Sequence, residues 1–195
     1  IKTPRARVIE NTGDSEQLAL ELFRSFPHPA VVKPVAAGSS VGVTVADSFH
    51  ALQTGLEKAF TISDKALIEE FIKGKEATVG VLDSFRGERT YALMPVEIVP
   101  PSSQPFFNYH AKYSGESIER VPGNFTLSEK DELSYLARRV HEELGLSHYS
   151  RSDFIVGKRG IYFLEVNTLP GLTEESLLPK ALNAVGSTLP HFLDH

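Results

Sequence analysis

Three side chains with oxygen donors stand near the end of the sequence, at spacings that place them on neighbouring strands. Asp153 lies in an apolar stretch that begins at Tyr149, and Glu165 and Asn167 end a second apolar stretch, residues 161–167. Side chains two residues apart in a strand share a face, so a hairpin of the two stretches would bring the three together. Two carboxylates and an amide oxygen suit a hard cation such as Mg²⁺ or Mn²⁺. The pattern therefore predicts a metal site.

The charges of the same hairpin allow a second interpretation. Arg151 precedes Asp153 by two residues and would share its face. The neighbouring residues are apolar on both faces, which predicts a buried hairpin, and a buried carboxylate must be paired or bind metal. An ion pair between Arg151 and Glu165 meets that requirement as well as a metal does. The strands alone leave the two interpretations open.

A lysine inside an apolar strand and a glycine–serine loop directly after it mark the first part of the chain. Residues 30–35 are predicted to be a strand that contains Lys33, and residues 37–43 read Ala-Gly-Ser-Ser-Val-Gly-Val. Such a loop offers N–H groups and hydroxyls to a phosphate, although a plain β-turn explains it too. Lys33 favours the binding interpretation, because its ammonium group needs an anion or a carboxylate in these surroundings.

A long stretch without periodicity, residues 100–121, has Lys112 and Tyr113 at its middle and contains four aromatic residues. A loop this long inside a compact domain is usually functional and is often a lid. A disordered surface loop is the alternative, but disordered segments are poor in aromatic residues. We therefore expect a loop that orders over a ligand.

The remaining periodicity predicts an α+β fold of mostly antiparallel hairpins with helices on one side. Strands are predicted at residues 7–10, 65–72, 76–82 and 89–99 (broken or bent at Pro95), with turns at Gly74-Lys75 and Arg86-Gly87. Helices are predicted at residues 14–26, from Asp47 or Ser48 to 60, from Ser128 (with Asp131 at the capping-box position) to Gly145, and at 176–185. We expect two lobes, residues 1–68 with the glycine loop and residues 69–195 with the carboxylates, and a ligand between them.

The composition is that of an ordinary globular protein and narrows the class of function. The chain has 195 residues, of which 41% are hydrophobic and 23% charged. A net charge of -5 argues against a broad surface for nucleic acid. The absence of cysteine excludes disulfides and thiolate zinc sites and fits a reducing cytosol. No apolar run reaches transmembrane length and no signal peptide opens the chain, so no membrane partner is expected.

Together these features meet the requirements of phosphoryl transfer. That chemistry needs a metal to bridge phosphate oxygens, cations to spread the developing charge, and a lid to exclude water. The glycine loop is neither a Walker A motif nor a dinucleotide-binding motif. No nucleophilic triad is evident, because the serines have no obvious histidine partner and cysteine is absent.

Several blocks of the sequence resemble the D-alanine–D-alanine ligases of the ATP-grasp superfamily. The blocks are residues 32–34 (Val-Lys-Pro) with 38–43 (Gly-Ser-Ser-Val-Gly-Val), residues 69–72 (Glu-Glu-Phe-Ile) with 74–76 and 78–82, residues 111–113 (Ala-Lys-Tyr) of an ω-loop, residues 151–154 (Arg-Ser-Asp-Phe), and residues 164–173 through Ser176-Leu177. The resemblance spans about residues 1–185, and the last block is highly specific. It implies an ATP-grasp fold and a ligase that joins two D-alanines for peptidoglycan precursor synthesis in the cytoplasm.

The resemblance also implies cofactors and a role for individual residues. ATP would phosphorylate the first D-alanine, and two Mg²⁺ (or Mn²⁺) ions would bind Asp153, Glu165 and Asn167. The resemblance implies further roles as follows: Lys33, Ser39 and Ser40 at the ATP phosphates, Glu69, Phe71 and Glu76 around the adenosine, Lys112 at the transferred phosphate, Arg151 and the Gly171 N–H at the oxyanion, and Ser176 (with Leu177 beside it) at the carboxylate of the second D-alanine. Tyr113 would bond Ser39 across the closed loop and favours D-alanine over D-lactate.

Family members also carry an N-terminal domain, and a further phosphate-contacting lysine, that this sequence does not contain. We therefore expect a fragment that is a poor ligase alone, from a protein that is commonly a homodimer in this family. Two other interpretations stay open: an ATP-binding regulatory module without turnover, and an ATP-grasp ligase with a different acceptor.

Overall fold

The computed structural model describes residues 1–38, 40–100 and 118–195, and they divide into two compact units. The N-terminal unit is Pro4–Ile72, and the C-terminal unit contains the described residues 1–3, 73–100 and 118–195. The division falls four residues after the predicted boundary at 68/69, and the first three residues belong to the C-terminal unit. That these two units act as the two predicted lobes of a ligand-binding fold stays a prediction.

The N-terminal unit is a four-stranded antiparallel sheet with two helices. Its elements are β1 (Ala6–Glu10), α1 (Ser15–Ser25), β2 (Ala30–Pro34), β3 (Thr44–Ala46), α2 (Phe49–Phe60) and β4 (Lys65–Glu70). The strand order is β1-β4-β2-β3. Asp14 caps α1 and Ser48 caps α2, each through a side-chain oxygen that accepts a backbone N–H of the first turn. Each predicted element of this part of the chain is therefore present, within a few residues of its expected ends.

Alternation along the strands separates a core face from an open face in this sheet. Val32 and Ile68 stand opposite each other in the β2–β4 register and are fully buried against α1 and α2. Lys33 directly follows Val32, and Glu69 directly follows Ile68. Because neighbouring side chains in a strand alternate, both point to the face away from the helices.

The C-terminal unit is built on a six-stranded antiparallel sheet. Its elements are β5 (Gly74–Asp83), β6 (Thr90–Ala92), β7 (Val96–Val99), β8 (Ile118–Arg120), α3 (Leu127–Glu143), β9 (Tyr149–Gly157), β10 (Gly160–Asn167), α4 (Leu177–Ala184) and α5 (Leu189–Leu193), with a 3₁₀ turn at Phe85–Gly87. The order is β10-β9-β5-β7-β8, and β6 also pairs with β5. On one face, Val79 and Phe154 pack with Leu133 and Ala137 of α3 in a buried core.

The opposite face of this sheet receives α4, which the prediction of helices on one side did not include. Gly80 of β5 permits the contact, because a β-carbon there would lie 2.5 Å from a methyl group of Leu178. In the sheet, Gly80 is paired with Arg151. The helix that follows Ser176 is thus seated on the face that also carries Arg151.

Several predicted boundaries in this unit are wrong. Gly74-Lys75 is not a turn but the start of β5, and a β-carbon on Gly74 would meet the carbonyl oxygen of Val156 at 2.4 Å. The predicted strand 89–99 is two strands, β6 and β7, and the break that was allowed at Pro95 is present as an interruption of three residues that ends there. Thr126 caps α3 and forms a capping box with Glu129, where Ser128 and Asp131 were predicted.

Two short elements were also missed. Strand β8 lies at the end of the stretch predicted to have no periodicity, and α5 follows the last predicted helix. Within the described ranges, no helix combines the length and the apolar composition needed to cross a membrane.

Candidate active site

The two strands predicted to carry the oxygen ligands pair as an antiparallel hairpin, β9 with β10, so that prediction is confirmed. The register places Glu165 opposite Asp153 and Asn167 opposite Arg151, which puts the four side chains on one face. A bulge just before Glu165 creates this alignment. If the register at the turn continued unbroken, Leu164 would stand opposite Asp153 and Glu165 would point to the other face.

The carboxylate of Asp153 is held from two sides. Arg151 donates from Nε and Nη2 to its two oxygens, both at 3.1 Å. Thr78 of β5, itself 1% exposed, donates its hydroxyl to Oδ1. The ion pair of Arg151 is therefore with Asp153, and not with Glu165 as the second interpretation of the sequence had it. Burial lowers the pKa of Arg151, but attraction by Asp153, with further contributions from Glu165 and Glu119, outweighs it, so the pKa is raised.

The other two predicted ligands lie at a more open end of the hairpin. Glu165 is exposed and Asn167 is half-buried, so the prediction of a hairpin buried throughout is wrong at this end. The side-chain oxygen of Asn167 accepts the N–H of Leu169 at 3.0 Å, which orients the amide.

This donor set fits a hard divalent cation. Two facing carboxylates and an oriented amide oxygen lie beside solvent, and a cation of this kind takes oxygen ligands and retains water. Across the described part of the chain, no three His, Cys, Asp or Glu side chains gather as a metal cluster. Asp153, Glu165 and Asn167 are the residues that could hold such an ion, with only two carboxylates among them.

The loop after β10 brings Gly171 against Ser176. A β-carbon at Gly171 would lie 2.7 Å from Oγ of Ser176, closer than real β-carbons approach an oxygen. The Ser176 hydroxyl is 2.8 Å from Oγ1 of Thr173 and makes no capping bond to α4. Where Thr173 is the donor of that hydrogen bond, the Ser176 hydroxyl can donate to a ligand. Leu177 is 9% exposed, so only its backbone could contact one.

An ion network missed by the sequence reasoning lies one turn along α4. Lys180 donates to Glu119 of β8 at 2.8 Å and to Glu175 at 3.0 Å. The hydrogen bond that Lys180 donates to Glu119 contributes most to the raised pKa of Lys180, and burial acts in the opposite direction. The network ties α4 to the strand at the far edge of the sheet, and no local pattern in the sequence pairs Glu119 with Lys180.

In the N-terminal unit, Lys33 and Glu69 form an ion pair at 2.7 Å, with side chains 22% and 11% exposed. Val31 stands opposite Glu69 in the β2–β4 register, so Lys33 and Glu69 are diagonal neighbours on the open face. The expectation that Lys33 must meet an anion or a carboxylate is confirmed. Two residues predicted to bind the nucleotide are thereby brought together.

The glycine–serine loop joins β2 to β3 as a series of tight turns. Val41 N–H donates to Gly38 at 3.1 Å and Val43 N–H to Ser40 at 3.4 Å. These two amides serve the loop itself, so they are not the donors that the sequence predicted for a phosphate. Ser40 has a φ of 59°. Three of the predicted site residues, Ser39, Lys112 and Tyr113, lie outside the described residues.

The remaining predicted nucleotide ligands are half-buried. Phe71 is fixed by its N–H, which donates to the carbonyl oxygen of Pro29 at 3.1 Å. Glu76 lies on β5 two residues before Thr78, so it shares the face of Asp153.

A serine, a histidine and an aspartate meet elsewhere in the C-terminal unit, contrary to the expectation that no serine has a histidine partner. His141 Nδ1 lies 2.8 Å from the hydroxyl of Ser150, and Nε2 lies 3.2 Å from Asp83. Ser150 is 0% exposed and His141 1%. A nucleophile must reach its substrate, so this arrangement is a buried polar network that joins α3 to the sheet.

Comparison with known proteins adds a family match. The family model described as "D-ala D-ala ligase C-terminus" matches residues 5–195. A D-alanine–D-alanine ligase of Maridesulfovibrio salexigens is 40% identical over 160 residues, 81% of this chain and 51% of that protein. The chain spans about half the length of the curated relatives it matches.

Solved structures agree with the family match. The VanG D-Ala:D-Ser ligase of Enterococcus faecalis aligns with a TM-score of 0.83 at 29% identity, over 100% of this chain and 55% of that one. A D-alanine–D-alanine ligase of Bacillus anthracis complexed with ATP aligns with a TM-score of 0.79 at 29% identity, over 100% and 58%.

Proposed function

Since this chain belongs to the D-alanine–D-alanine ligase C-terminus family and has its ATP-grasp fold, we propose that it is the nucleotide-binding and acceptor-binding part of an ATP-dependent ligase that joins two D-alanines. In this reaction the γ-phosphoryl group of ATP moves to the carboxylate of the first D-alanine and ADP leaves. The amine of the second D-alanine then attacks the acyl phosphate, phosphate leaves, and a peptide bond forms. The product serves peptidoglycan precursor synthesis.

The observation that carries the proposal is the bulged register of the β9–β10 hairpin. It sets Asp153 opposite Glu165 with Asn167 on the same face, an all-oxygen donor set for two Mg²⁺ or Mn²⁺ ions. Bound there, the ions would neutralise charge on the phosphates of ATP. A pure structural ion pair would need Arg151 and Asp153 only, and would not account for a third and a fourth polar side chain on this face.

Arg151 has donors to spare for the reacting centre. A guanidinium group has five N–H donors, and two of them are used on Asp153. The remaining donors of Arg151, together with the N–H of Gly171, would stabilise the oxyanion formed when the amine attacks. Asp153 holds the guanidinium plane of Arg151 before substrate binds.

The acceptor end of the reaction would be set by Ser176. Its hydroxyl is not used as a helix cap, and α4 behind it presents free N–H groups, so a carboxylate would find donors there. The VanG protein of E. faecalis, which has this fold, is a D-Ala:D-Ser ligase. D-Alanine, D-serine and D-lactate therefore form the panel of acceptors to be compared.

In the N-terminal unit, Lys33 would hold an ATP phosphate, with Ser39 and Ser40 in the phosphate-binding loop. Glu69 and Phe71 would line the adenosine. The solved structure of a B. anthracis ligase complexed with ATP supports ATP as the nucleotide. In the C-terminal unit, Glu76 would meet the ribose hydroxyls. Lys112 would meet the transferred phosphate, and Tyr113 would pair with Ser39.

We further propose that the whole protein acts in the cytoplasm, where ATP is available, and as a homodimer.

The test compares Arg151→Ala with Arg139→Ala in the protein at its full natural length. Arg139 lies on α3 in an exposed pair with Glu143, so it controls for loss of a positive charge. Dipeptide formation is measured by ADP release with D-alanine, and nucleotide affinity by calorimetry. We expect Arg151→Ala to lower kcat by at least about 100-fold while ATP affinity stays within about threefold. Unchanged turnover in Arg151→Ala would favour a binding module without catalysis.

A further inference from the structure

We propose that Thr78 is a positioning residue for the carboxylate of Asp153, and that it decides which carboxylate oxygen is presented to a divalent cation. The inference rests on the proposed function, because it takes Asp153 to be a metal ligand. Thr78 lies in one of the blocks that resemble the family, but the resemblance gives it no role in the site; it is on β5, 75 residues from Asp153 in sequence.

The sheet aims Thr78 at Asp153. The two residues are direct partners in the β5–β9 register, so their side chains leave the sheet on the same face. Its neighbours Ala77 and Val79 point to the opposite face and join the core under α3. Thr78 is 1% exposed, so its hydroxyl has no access to bulk solvent and must find a partner inside the protein.

The hydroxyl has two acceptors within reach and one hydrogen to give. The carbonyl oxygen of Ser152 is 3.3 Å away, and Oδ1 of Asp153 is much closer and carries negative charge. A charged acceptor makes the stronger hydrogen bond, so the hydrogen goes to Asp153.

Counting the lone pairs of Asp153 shows what this bond does. Each carboxylate oxygen accepts in two directions. On Oδ1, both are taken, one by Thr78 and one by Nε of Arg151. On Oδ2, Nη2 of Arg151 takes one and leaves the other. Among the described residues, Asp153 with Thr78 in place thus presents a single open direction, on Oδ2, and would bind a cation through one oxygen.

A plain structural reading of Thr78 is that a β-branched residue fills a buried strand position. Valine has the same shape and would fill the position as well. The two readings therefore predict different results for Thr78→Val, which keeps the shape and removes the hydrogen bond. Under the positioning reading, the loss of the hydroxyl opens one direction on Oδ1, and Oδ1 then competes with Oδ2 for the cation.

The experiment measures Mn²⁺ binding by the loss of the free-ion EPR signal, in the presence of ADP, on the protein at its full natural length. The variants are Thr78→Val, Thr78→Ala and Thr78→Ser, with Asp153→Asn as reference. Thr90→Val is the matched control, because Thr90 is a buried threonine of the same sheet (7% exposed) that is paired with Asp83, away from the metal face. The Mg²⁺ concentration for half-maximal turnover is measured alongside.

We expect Thr78→Val and Thr78→Ala to weaken Mn²⁺ binding by about tenfold or more, as is typical for the loss of a residue that orients a metal ligand. Thr78→Ser, which restores the hydroxyl, should stay within about threefold of wild type, and Thr90→Val should not change. If Thr78→Val fails to fold, the Ala and Ser variants decide the question by themselves, since rescue by serine requires the hydroxyl.

Two different results would overturn the proposal, and they can be told apart. Wild-type Mn²⁺ affinity in Thr78→Val and Thr78→Ala, with loss in Asp153→Asn, refutes the role of Thr78 and leaves the metal site intact. Wild-type affinity in Asp153→Asn as well would show that Asp153 is not a metal ligand. The proposed role of the hairpin would then fall together with that of Thr78.

Discussion

Replacing Gly171 with alanine should disturb Ser176, and removing the Ser176 hydroxyl should abolish the disturbance. The new β-carbon would lie 2.7 Å from Oγ of Ser176 but 3.6 Å from its β-carbon, which is an ordinary contact. Only the hydroxyl therefore stands in the way. To reach a normal separation it must move by a few tenths of an ångström, away from Thr173, whose Oγ1 is 2.8 Å away.

The magnitude follows from these two contacts. Inserting one methyl group into a packed position costs about 1–3 kcal/mol, and a rotatable hydroxyl puts this case at the lower end. Part of that cost is the hydrogen bond to Thr173, worth about 1 kcal/mol. We expect Gly171→Ala to lower the free energy of unfolding by about 1–2 kcal/mol. In a Ser176→Ala background the same change should cost about 0 kcal/mol, because the close contact is gone.

A double-mutant cycle measures the difference. Urea unfolding of wild type, both single variants and the double variant is followed by far-UV circular dichroism, since the chain has no tryptophan for fluorescence. The KM for the acceptor amino acid is measured in parallel, and Gly171→Ala should raise it if Ser176 binds the acceptor carboxylate. An equal cost of Gly171→Ala in both backgrounds would refute the reasoning, since the strain would then lie in the backbone rather than in the Ser176 contact.

Three further predictions concern other parts of the molecule. Ser150→Ala should lower the free energy of unfolding by about 1–3 kcal/mol, because Nδ1 of the buried His141 loses its hydrogen-bond partner. The value of kcat in a turnover assay should not change, and a large loss of kcat at full stability would contradict the structural role. Lys33→Ala and Glu69→Ala should each lower the free energy of unfolding by about 1–2 kcal/mol in thermal unfolding. The double variant should lose less than the sum of the two, because it leaves no unpaired charge, and strict additivity would argue against the ion pair. Thr126→Ala should cost about 1 kcal/mol through loss of the α3 cap, measured by urea unfolding, whereas Thr126→Ser should restore most of it.

Local rules predicted the elements where the sequence carries its own signal. The Asp14 and Ser48 helices, the β9–β10 hairpin and the Lys33 strand follow from periodicity, capping residues and turns, each of which acts over a few residues. The errors occur where a more distant contact decides. Gly74 is in a strand because it lies against the carbonyl of Val156, and α4 covers the second face of the sheet because Gly80 leaves room for it.

The candidate site shows the same division. The residue types Asp153, Glu165 and Asn167, and their period of two, could be recognised without a structure. The partner of Arg151 could not, because burial and sheet register select Asp153 over Glu165. The contribution of Thr78 was also out of reach, because a threonine in an apolar strand is as typical of packing as of positioning.

The sequence by itself determined the family, the α+β class, and the set of oxygen and cationic side chains, because these depend on residue identity and short spacings. Only the tertiary structure decided that Glu165 faces Asp153. A single extra residue, inserted as a bulge just before Glu165, moves that side chain from one face of the sheet to the other. The physical reason is that side chains alternate between the two faces of a strand, so one unpaired residue reverses the face of every side chain after it. The position of that residue is set by the pairing with the neighbouring strands.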